Sequence, residues 1–441
     1  MEQRRKNLTQ LFIPICLETL LYMLSGMVDT LMLSSVNDQA VGAVGTANTY
    51  IGIFIIMFSV ISSGMVAVMT QNIGAGRPGV AYQARQLGLT FNAVLGIIVS
   101  LILAFGAGTI LAGVGVADAL MQPARTYLQI VGGFCILNAL IPICSSYLRA
   151  FGFSKEPLYA SIIGNVINFC LNAFFLFVLH KGVAGVAAAT VISRIINLVI
   201  VVLLGAVLVK AKQHPERESN REVMGQIIRI GLPSACETAI YNVSMTLVIR
   251  FLNQMDAQGL NVTARSYTMQ ITNFSYCVGA ALAQANAIMT GWHIGAKEYD
   301  ACDRGTKKAA VIGVIVAVIL ETVFTLCSGW IMQLFSKDPQ MVSLVGKLLA
   351  IDIVLEIGRV TNLVYGQALK TSGDAVFPVV MGACFMILCS VGGTYLFGIR
   401  LGLLAVGAYI GMAGDECVRA VGMYLRWKSG KWKEKGLVKS R

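Results

Sequence analysis

Twelve apolar stretches, most of them longer than 20 residues, dominate this chain of 441 residues. An α-helix rises ~1.5 Å per residue, so each stretch is long enough to cross the ~30 Å hydrocarbon core of a bilayer. Only 13% of the residues are charged, about half the fraction of soluble domains, which is roughly 25%. The pattern predicts an all-α polytopic membrane protein with twelve transmembrane helices. The predicted spans are roughly 9–34, 44–71, 86–113, 122–148, 157–180, 183–209, 225–253, 260–291, 306–333, 341–369, 375–397 and 401–426.

The second half of the chain repeats the first. The segment from Pro14 to Tyr22 carries Glu and Thr at its fifth and sixth positions, and the same pattern recurs from Pro233 to Tyr241. Further copies share an offset close to 220 positions, such as the Leu-Arg pair that ends at Arg149 and the Leu-Lys pair that ends at Lys370. The sequence therefore predicts a duplicated scaffold.

The repeat and the longest hydrophilic break together define the domain organisation. We predict an N-terminal six-helix lobe over 1–209, a cytoplasmic linker over 210–228, a C-terminal six-helix lobe over 229–427 and a basic cytoplasmic tail over 428–441. Six spans is an even number, so both lobes enter from the same side of the membrane. Parallel repeats of this kind are related by an axis along the membrane normal. We expect two pseudo-symmetric bundles around a central cleft, an architecture that suits a secondary transporter.

The formal net charge of +12 could indicate a nucleic-acid partner. The basic residues are instead concentrated at both ends of the chain and in alternate loops between the spans. This is the positive-inside pattern, and it predicts that both termini are cytoplasmic. We therefore expect a lipid bilayer and no nucleic acid as the surroundings of this chain, which we expect to be a monomer.

Residue types that support enzyme chemistry are sparse. The eleven cysteines form no CxxC pair, and the three histidines, His180, His214 and His293, are not at the spacing of metal ligands. No Walker motif is present. A membrane enzyme would need a convergent nucleophile or acid–base pair, so we predict no enzyme, no catalytic residue, no cofactor and no disulfide.

The first span carries a polar stripe. Glu18, Tyr22, Ser25 and Asp29 lie at i, i+4, i+7 and i+11, which places them on one helical face. A carboxylate facing lipid costs at least ~2.5–3.5 kcal/mol, so this face is predicted to contact protein or a water-filled cavity. In the second copy the position of Asp29 is Val248. An acid kept in only one copy suggests a specialised site in the first lobe.

The order and spacing of several short motifs resemble those of the multidrug and toxic-compound extrusion (MATE) family, from end to end and in its bacterial form. The matching segments are Met27–Met32, Ala43–Asn48, Gln71–Ala75, Leu148–Gly152 and Leu369–Asp374. The resemblance implies a secondary active antiporter of the bacterial inner (plasma) membrane. Such a protein exports amphipathic, often cationic compounds in exchange for Na⁺ or H⁺, by rocker-switch alternating access. Exporting one positive charge against the membrane potential costs ~2.3 kcal/mol per 100 mV, which an entering ion can supply.

A second transport function remains open at this stage. Flippases of lipid-linked saccharides or related amphiphiles use the same superfamily fold, although they often carry fourteen spans and a more cationic cavity. The count of spans and the charge of the cavity would separate the two alternatives.

The resemblance also implies an ion-coupling site in the first lobe. Asp29 matches the first-helix aspartate that the family associates with cation coupling, Asn168 and Asn172 match two polar positions of the fifth span, and Thr190 matches a threonine of the sixth. Asn172 stands where the family can carry an aspartate, so one candidate charge is missing. We expect weak Na⁺ binding at Asp29, the only metal expected, or proton exchange there. The structural alternative is that these polar groups only form hydrogen bonds with one another between the helices.

Three acids are candidates for the substrate cleft. Glu18 and Glu237 are repeat mates that could attract cations to the inward opening, or could simply stabilise helix N-termini. Asp352 lies one turn from Glu356, which we predict to pair with Arg359. The family carries an aspartate at the position of Arg359 in some branches. A seventh-span glutamate of other branches aligns with Tyr241.

Uncharged candidates for the cleft lie on the second and eighth spans. Aromatic faces hold cations and flexible methionine side chains support promiscuous binding, whereas core or lipid-facing packing is the structural alternative. The residues singled out are Tyr50, Phe54, Gln270 and Gln284.

Overall fold

The computed structural model describes residues 6–35, 38–113, 116–210, 214–256, 259–333 and 335–438. These residues fold into α-helices connected by short loops, and no strand occurs among them, which confirms the all-α fold class. The helices are α1 Leu8–Ser34, α2 Asp38–Gly74, α3 Pro78–Gly113, α4 Asp118–Tyr127, α5 Ile136–Ala150, α6 Lys155–Ala173, α7 Gly182–Leu208, α8 Asn220–Met255, α9 Leu260–Gly295, α10 Tyr299–Leu326, α11 Ser328–Met332, α12 Pro339–Ser372, α13 Val376–Phe385 and α14 Leu404–Lys428.

Several of these helices join into longer rods. A π-helical turn over Leu128–Gly132 follows α4, and the rod bends by 43° before α5. Another π-helical turn, Phe174–Val178, extends α6, and two more, Met386–Val391 and Thr394–Arg400, extend α13. In the part of the chain that the structure describes, six rods precede the segment 214–219 and six follow it, with the five-residue helix α11 left out of the count. The arrangement agrees with the predicted twelve spans.

Length and apolar composition together qualify seven rods of the described chain as membrane spans, or eight when the bent α4–α5 rod is counted as one. The remaining long helices are α8, α9, α12 and α14. Their hydropathy is lower because polar and charged residues occupy their buried faces, as Asp352, Glu356 and Arg359 do on α12. A buried charge in a spanning helix points to function or to an internal ion pair.

The chain divides into two compact units, Met1–Leu232 and Pro233–Arg441, which we call the N-terminal unit and the C-terminal unit. Helix α8 begins at Asn220, inside the segment predicted as a linker. Within that polar stretch Val223, Ile227 and Ile230 are buried. Their i, i+4, i+7 spacing gives one apolar helical face, so the first turns of α8 pack on the N-terminal unit.

Two glycines bring α2 and the start of α8 into close contact. A Cβ atom added to Gly231 would lie 1.7 Å from the Val60 carbonyl oxygen, and one added to Gly64 would lie 2.0 Å from the Ile227 carbonyl oxygen. Only glycine permits the two backbones to approach this closely. Helix α8 is thereby fixed to the N-terminal unit over its first three turns.

The end of the chain folds back on the C-terminal unit. The rings of Trp427 and Trp432 stack with centroids 4.2 Å apart, and both side chains are buried. The indole Nε1 of Trp427 donates a hydrogen bond to Asp303 on α10 at 2.9 Å. Both rings therefore pack against protein within the C-terminal unit.

Candidate ion and substrate sites

The predicted ion-coupling residues of the N-terminal unit meet where α1 packs against α6. The Nδ2 group of Asn172 donates a hydrogen bond to Asp29 Oδ1 at 2.7 Å and a second to Asn168 Oδ1 at 3.2 Å. Asn168 and Asn172 are one turn apart, so both amides reach the same side of α6. Asn172 is fully buried and Asp29 is half-buried. The acid therefore lies in an amide-lined site rather than isolated in an apolar surface.

Thr190 lies nearby, but no hydrogen bond joins it to Asp29 among the described contacts. Its hydroxyl donates to the Val186 carbonyl oxygen of its own helix at 2.9 Å. The Tyr127 side chain interacts with Thr190 and with Asn48, and the charge of Arg194 acts on both Asp29 and Tyr127. The structure thus brings Asp29, Asn168 and Asn172 together and links Thr190 to them through Tyr127.

Sequence reasoning missed Tyr127, and it used Asn48 only as part of a motif. Tyr127 is the last residue of α4, immediately before the π-helical turn, and its side chain is buried. A buried tyrosine hydroxyl needs a hydrogen-bond partner. Its place near the start of the span predicted over 122–148 could have suggested a polar contact, although no spacing in the sequence identifies that contact as Thr190.

The Asp29 site offers oxygen ligands but a single charge. The described residues contain no group of three His, Cys, Asp or Glu side chains placed to hold a metal ion. The Asn172 Oδ1 atom is buried and has no hydrogen-bond partner in the described part of the chain. A hard monovalent cation takes oxygen ligands, and a proton needs one carboxylate only. The site is therefore suited to binding one positive charge.

Glu18 forms an ion pair in the N-terminal unit. Its Oε2 atom accepts a hydrogen bond from Arg149 of α5 at 2.6 Å, and its Oε1 atom accepts one from the Ser161 hydroxyl of α6 at 3.3 Å. Both charged side chains are mostly buried. Tyr22, on the same predicted stripe, is 71% exposed, so the stripe is not buried as a whole.

The repeat mate of Glu18 forms the equivalent pair. Glu237 Oε2 on α8 lies 2.5 Å from Lys370 Nζ near the end of α12. Glu18 and Glu237 are thus each neutralised by a base of their own unit, and neither offers a free negative charge to attract cations. The signal was present in the sequence, because Arg149 and Lys370 occupy equivalent places in the repeat.

The C-terminal unit contains a cavity of about 400 Å³. Of the predicted cleft residues, Glu237, Tyr241 and Asp352 line it. Gln270 is exposed and Gln284 is half-buried, and neither is among the lining residues. Tyr50 and Phe54 pack against the apolar core of the N-terminal unit, which is the packing role that was the alternative for them.

A network of charges is buried beside this cavity. Arg359 pairs with Glu356, as predicted, and lies 3.6 Å from Glu416. Arg419 contacts Asp415 and Glu416, each at 2.9 Å. Helix α14 thus pairs both of these acids with its own arginine.

Glu321 on α10 adds a buried acid that the sequence analysis did not single out. Its carboxyl group interacts with the Ser275 hydroxyl, but neither group forms a hydrogen bond of good geometry within the described chain. A lone glutamate in an apolar span was the available signal, since such residues in membranes mark functional or paired positions.

Comparison with known proteins identifies the family. The MatE family model matches residues 14–174 and 233–396, one match in each half of the chain. A protein of Bacillus subtilis, "Uncharacterized transporter YisQ", is 34% identical over 431 residues, covering 96% of this chain and 94% of that protein. The "Probable multidrug resistance protein NorM" of Thermotoga maritima is 22% identical over 450 residues, covering 98% and 94%.

Solved structures show the same fold. The chain of a "MATE in the straight conformation" superposes with a TM-score of 0.87 at 19% identity, covering 97% of this chain and 96% of that one. An "outward-facing conformation of a multidrug resistance MATE family transporter" gives a TM-score of 0.84 at 18% identity, covering 98% and 96%. Because the family model spans both halves, the resemblance drawn from the motifs is confirmed. The chain is a multi-pass membrane transporter, not an enzyme, and belongs to the MatE family.

Proposed function

We propose that this transporter exports amphipathic, often cationic compounds in exchange for Na⁺ or H⁺, and that Asp29 binds the coupling ion. One observation carries the proposal: a carboxylate within the apolar helix α1 accepts a 2.7 Å hydrogen bond from the buried amide of Asn172 on α6. The relatives named as multidrug resistance proteins support the export of small organic molecules. The flippase alternative has no such support.

The geometry gives Asp29 a way to link ion binding to a rearrangement of helices. The Asn172 amide donates to the carboxylate and to Asn168 at once, which ties α1 to α6 while Asp29 is ionised. A proton or Na⁺ on the carboxylate competes for the same oxygen atoms, so the hydrogen bond between α1 and α6 weakens when the ion binds. Two states of α1 with different ion affinity are what a coupled transporter requires.

The charge of the site limits what one cycle can carry. Asp29 is a single carboxylate, and Asn172 supplies a neutral amide where the family can carry a second acid. We infer that one positive charge enters at Asp29 in each cycle, whether the ion is Na⁺ or H⁺. The duplicated chain supports a rocker-switch alternation of its two halves. We further propose a monomer in a bacterial plasma membrane, with both termini cytoplasmic.

The test is dye transport in proteoliposomes with a Na⁺ gradient and a pH gradient imposed separately. We expect one of the two gradients to drive transport by the wild type, and Asp29→Asn to abolish that response. Asp118→Asn is the matched control, because Asp118 is an exposed acid in the first turn of α4. Equal gradient-driven transport by Asp29→Asn and the wild type would refute the coupling role.

A further inference from the structure

The cavity of the C-terminal unit has the size and the walls of a site for small molecules. Its volume of about 400 Å³ lies within the ~300–1,000 Å³ range of ligand pockets. Aromatic rings and flexible thioethers on its walls suit the binding of diverse flat molecules. These residues are Tyr241, Tyr276, Tyr409, Met245, Met269 and Met412.

Four basic residues line the cavity, and one of them has no acidic partner among the residues that the structure describes. Three of them pair as follows: Lys370 with Glu237, Arg359 with Glu356 and Glu416, and Arg419 with Asp415 and Glu416. Arg265 forms no ion pair within the described residues, although it is only 6% exposed. One of its Nη atoms donates a weak hydrogen bond to the Met245 sulfur atom at 3.7 Å, and its Nε atom has no hydrogen-bond partner among the described residues. A buried guanidinium without a counter-ion is costly, so the cavity lacks one anionic group beside Arg265.

Asp352 is the opposite case, a buried acid that lines the same cavity. It is 2% exposed, its Oδ2 atom has no hydrogen-bond partner, and it forms no ion pair within the part of the chain that the structure describes, although the charge of Arg359 on the same helix acts on it. Arg265 and Asp352 both act electrostatically on Tyr409, so the two charges lie near the same ring without pairing with each other. The cavity therefore presents a separate cation and a separate anion along an aromatic wall.

We propose that this cavity binds a zwitterionic amphipathic compound, with its carboxylate on Arg265 and its amine near Asp352. The proposal rests on the export function above and names the class of substrate. The planar guanidinium fork matches a carboxylate with two parallel hydrogen bonds. The apolar scaffold of the compound lies along Tyr409 and the methionines. A compound that brings both charges leaves neither buried group uncompensated.

A pair of dyes that differ only at the carboxyl group provides the test. Rhodamine B carries a free carboxylate and is a zwitterion near neutral pH, whereas its ethyl ester is a cation. Binding to the purified full-length protein in detergent is measured by fluorescence polarisation, without any ion gradient. We expect the wild type to bind the acid more tightly than the ester.

The variants assign that preference to residues. Arg265→Gln is expected to weaken binding of the acid about 10- to 100-fold, because a charge-assisted hydrogen bond is lost. The same substitution is expected to change binding of the ester by less than about threefold. Arg265→Lys is expected to recover part of the loss, and Asp352→Asn to weaken binding of both dyes, since both carry the same cationic xanthylium system. Arg250→Gln is the control, because Arg250 is exposed on α8 and does not line the cavity.

Equal affinity of the wild type for the two dyes would overturn the proposal, as would an equal loss of both in Arg265→Gln. The comparison of acid with ester in the wild type needs no variant, so it decides the question even if Arg265→Gln does not fold. Failure of the export function is a different result: dyes would bind with the expected selectivity, yet neither gradient would drive them across a proteoliposome membrane.

Discussion

Glu237 and Lys370 form an ion pair at 2.5 Å that joins α8 to the end of α12. The N-terminal unit contains the same pair at the same place in the repeat, between Glu18 and Arg149. A duplicated sequence has thus retained both members of a buried pair while other positions diverged. This retention argues for a structural contact within each unit.

The first prediction concerns the stability that these pairs provide. Lys370→Met leaves the Glu237 carboxylate largely buried without its partner, so we expect a loss of about 1–3 kcal/mol in the free energy of unfolding. The double variant Glu237→Gln with Lys370→Met should lose less than the sum of its single substitutions, because no charge is left unpaired. Thermal unfolding in detergent measures both. Additive losses would mean that the two side chains do not interact.

The second prediction tests the contact between α2 and α8. In Gly231→Ala the new methyl group would meet the Val60 carbonyl oxygen, so α8 must move away from α2, and overpacking of this kind costs about 1–3 kcal/mol or more. Gly225→Ala lies on the same helix with nothing within 4 Å of the added atom. It should be neutral or stabilising, by up to about 1 kcal/mol. Unfolding temperatures that rank the two variants the other way would contradict the close crossing.

A third prediction concerns pH and the loop before α9. Asp256 accepts hydrogen bonds from the backbone N–H groups of Leu260 at 2.8 Å and Asn261 at 3.0 Å. Desolvation opposes ionisation, but these bonds prevail and hold the pKa of Asp256 below its ordinary value. A group with a depressed pKa in the folded state stabilises above its unfolded pKa, near 3.9, and the contribution is lost as the pH falls through the lower, folded value.

We therefore expect Asp256→Ala to lower the unfolding temperature at neutral pH, and the difference from the wild type to shrink below about pH 4. Asp256→Asn keeps an acceptor without the charge, so it should lose less stability and its difference from the wild type should also shrink in acid. The measurement is thermal unfolding over a pH series. A deficit of Asp256→Ala that stays constant into acid would show that the carboxylate charge contributes nothing.

Periodicity and hydropathy predicted the twelve helical rods, because a span in lipid must satisfy its own backbone groups and be long enough to cross. The same reasoning failed at the start of α8, where polar residues conceal the apolar face of Val223 and Ile227. The contact of Asn172 with Asp29 follows from family spacing. The sequence does not predict the partner of Tyr127, nor that Arg265 lacks an acidic partner among the described residues. Both facts depend on which face of one helix packs against another. Spacing within a single helix cannot specify that.

The last prediction changes the charge of the ion site. Asn172→Asp places a second carboxylate beside Asp29, at the position where the amide now lies 2.7 Å away. Two carboxylates this close cannot both ionise unless a cation lies between them, so the variant should bind Na⁺ more strongly than the wild type. We expect transport in proteoliposomes at fixed pH to saturate at a lower Na⁺ concentration. Asn165→Asp adds the same charge to α6 at a residue that forms no hydrogen bond to Asp29 among the described contacts, and it should leave the Na⁺ dependence unchanged. An unaltered Na⁺ response in Asn172→Asp would mean that Asp29 exchanges protons only, or that the ion binds elsewhere in the transporter.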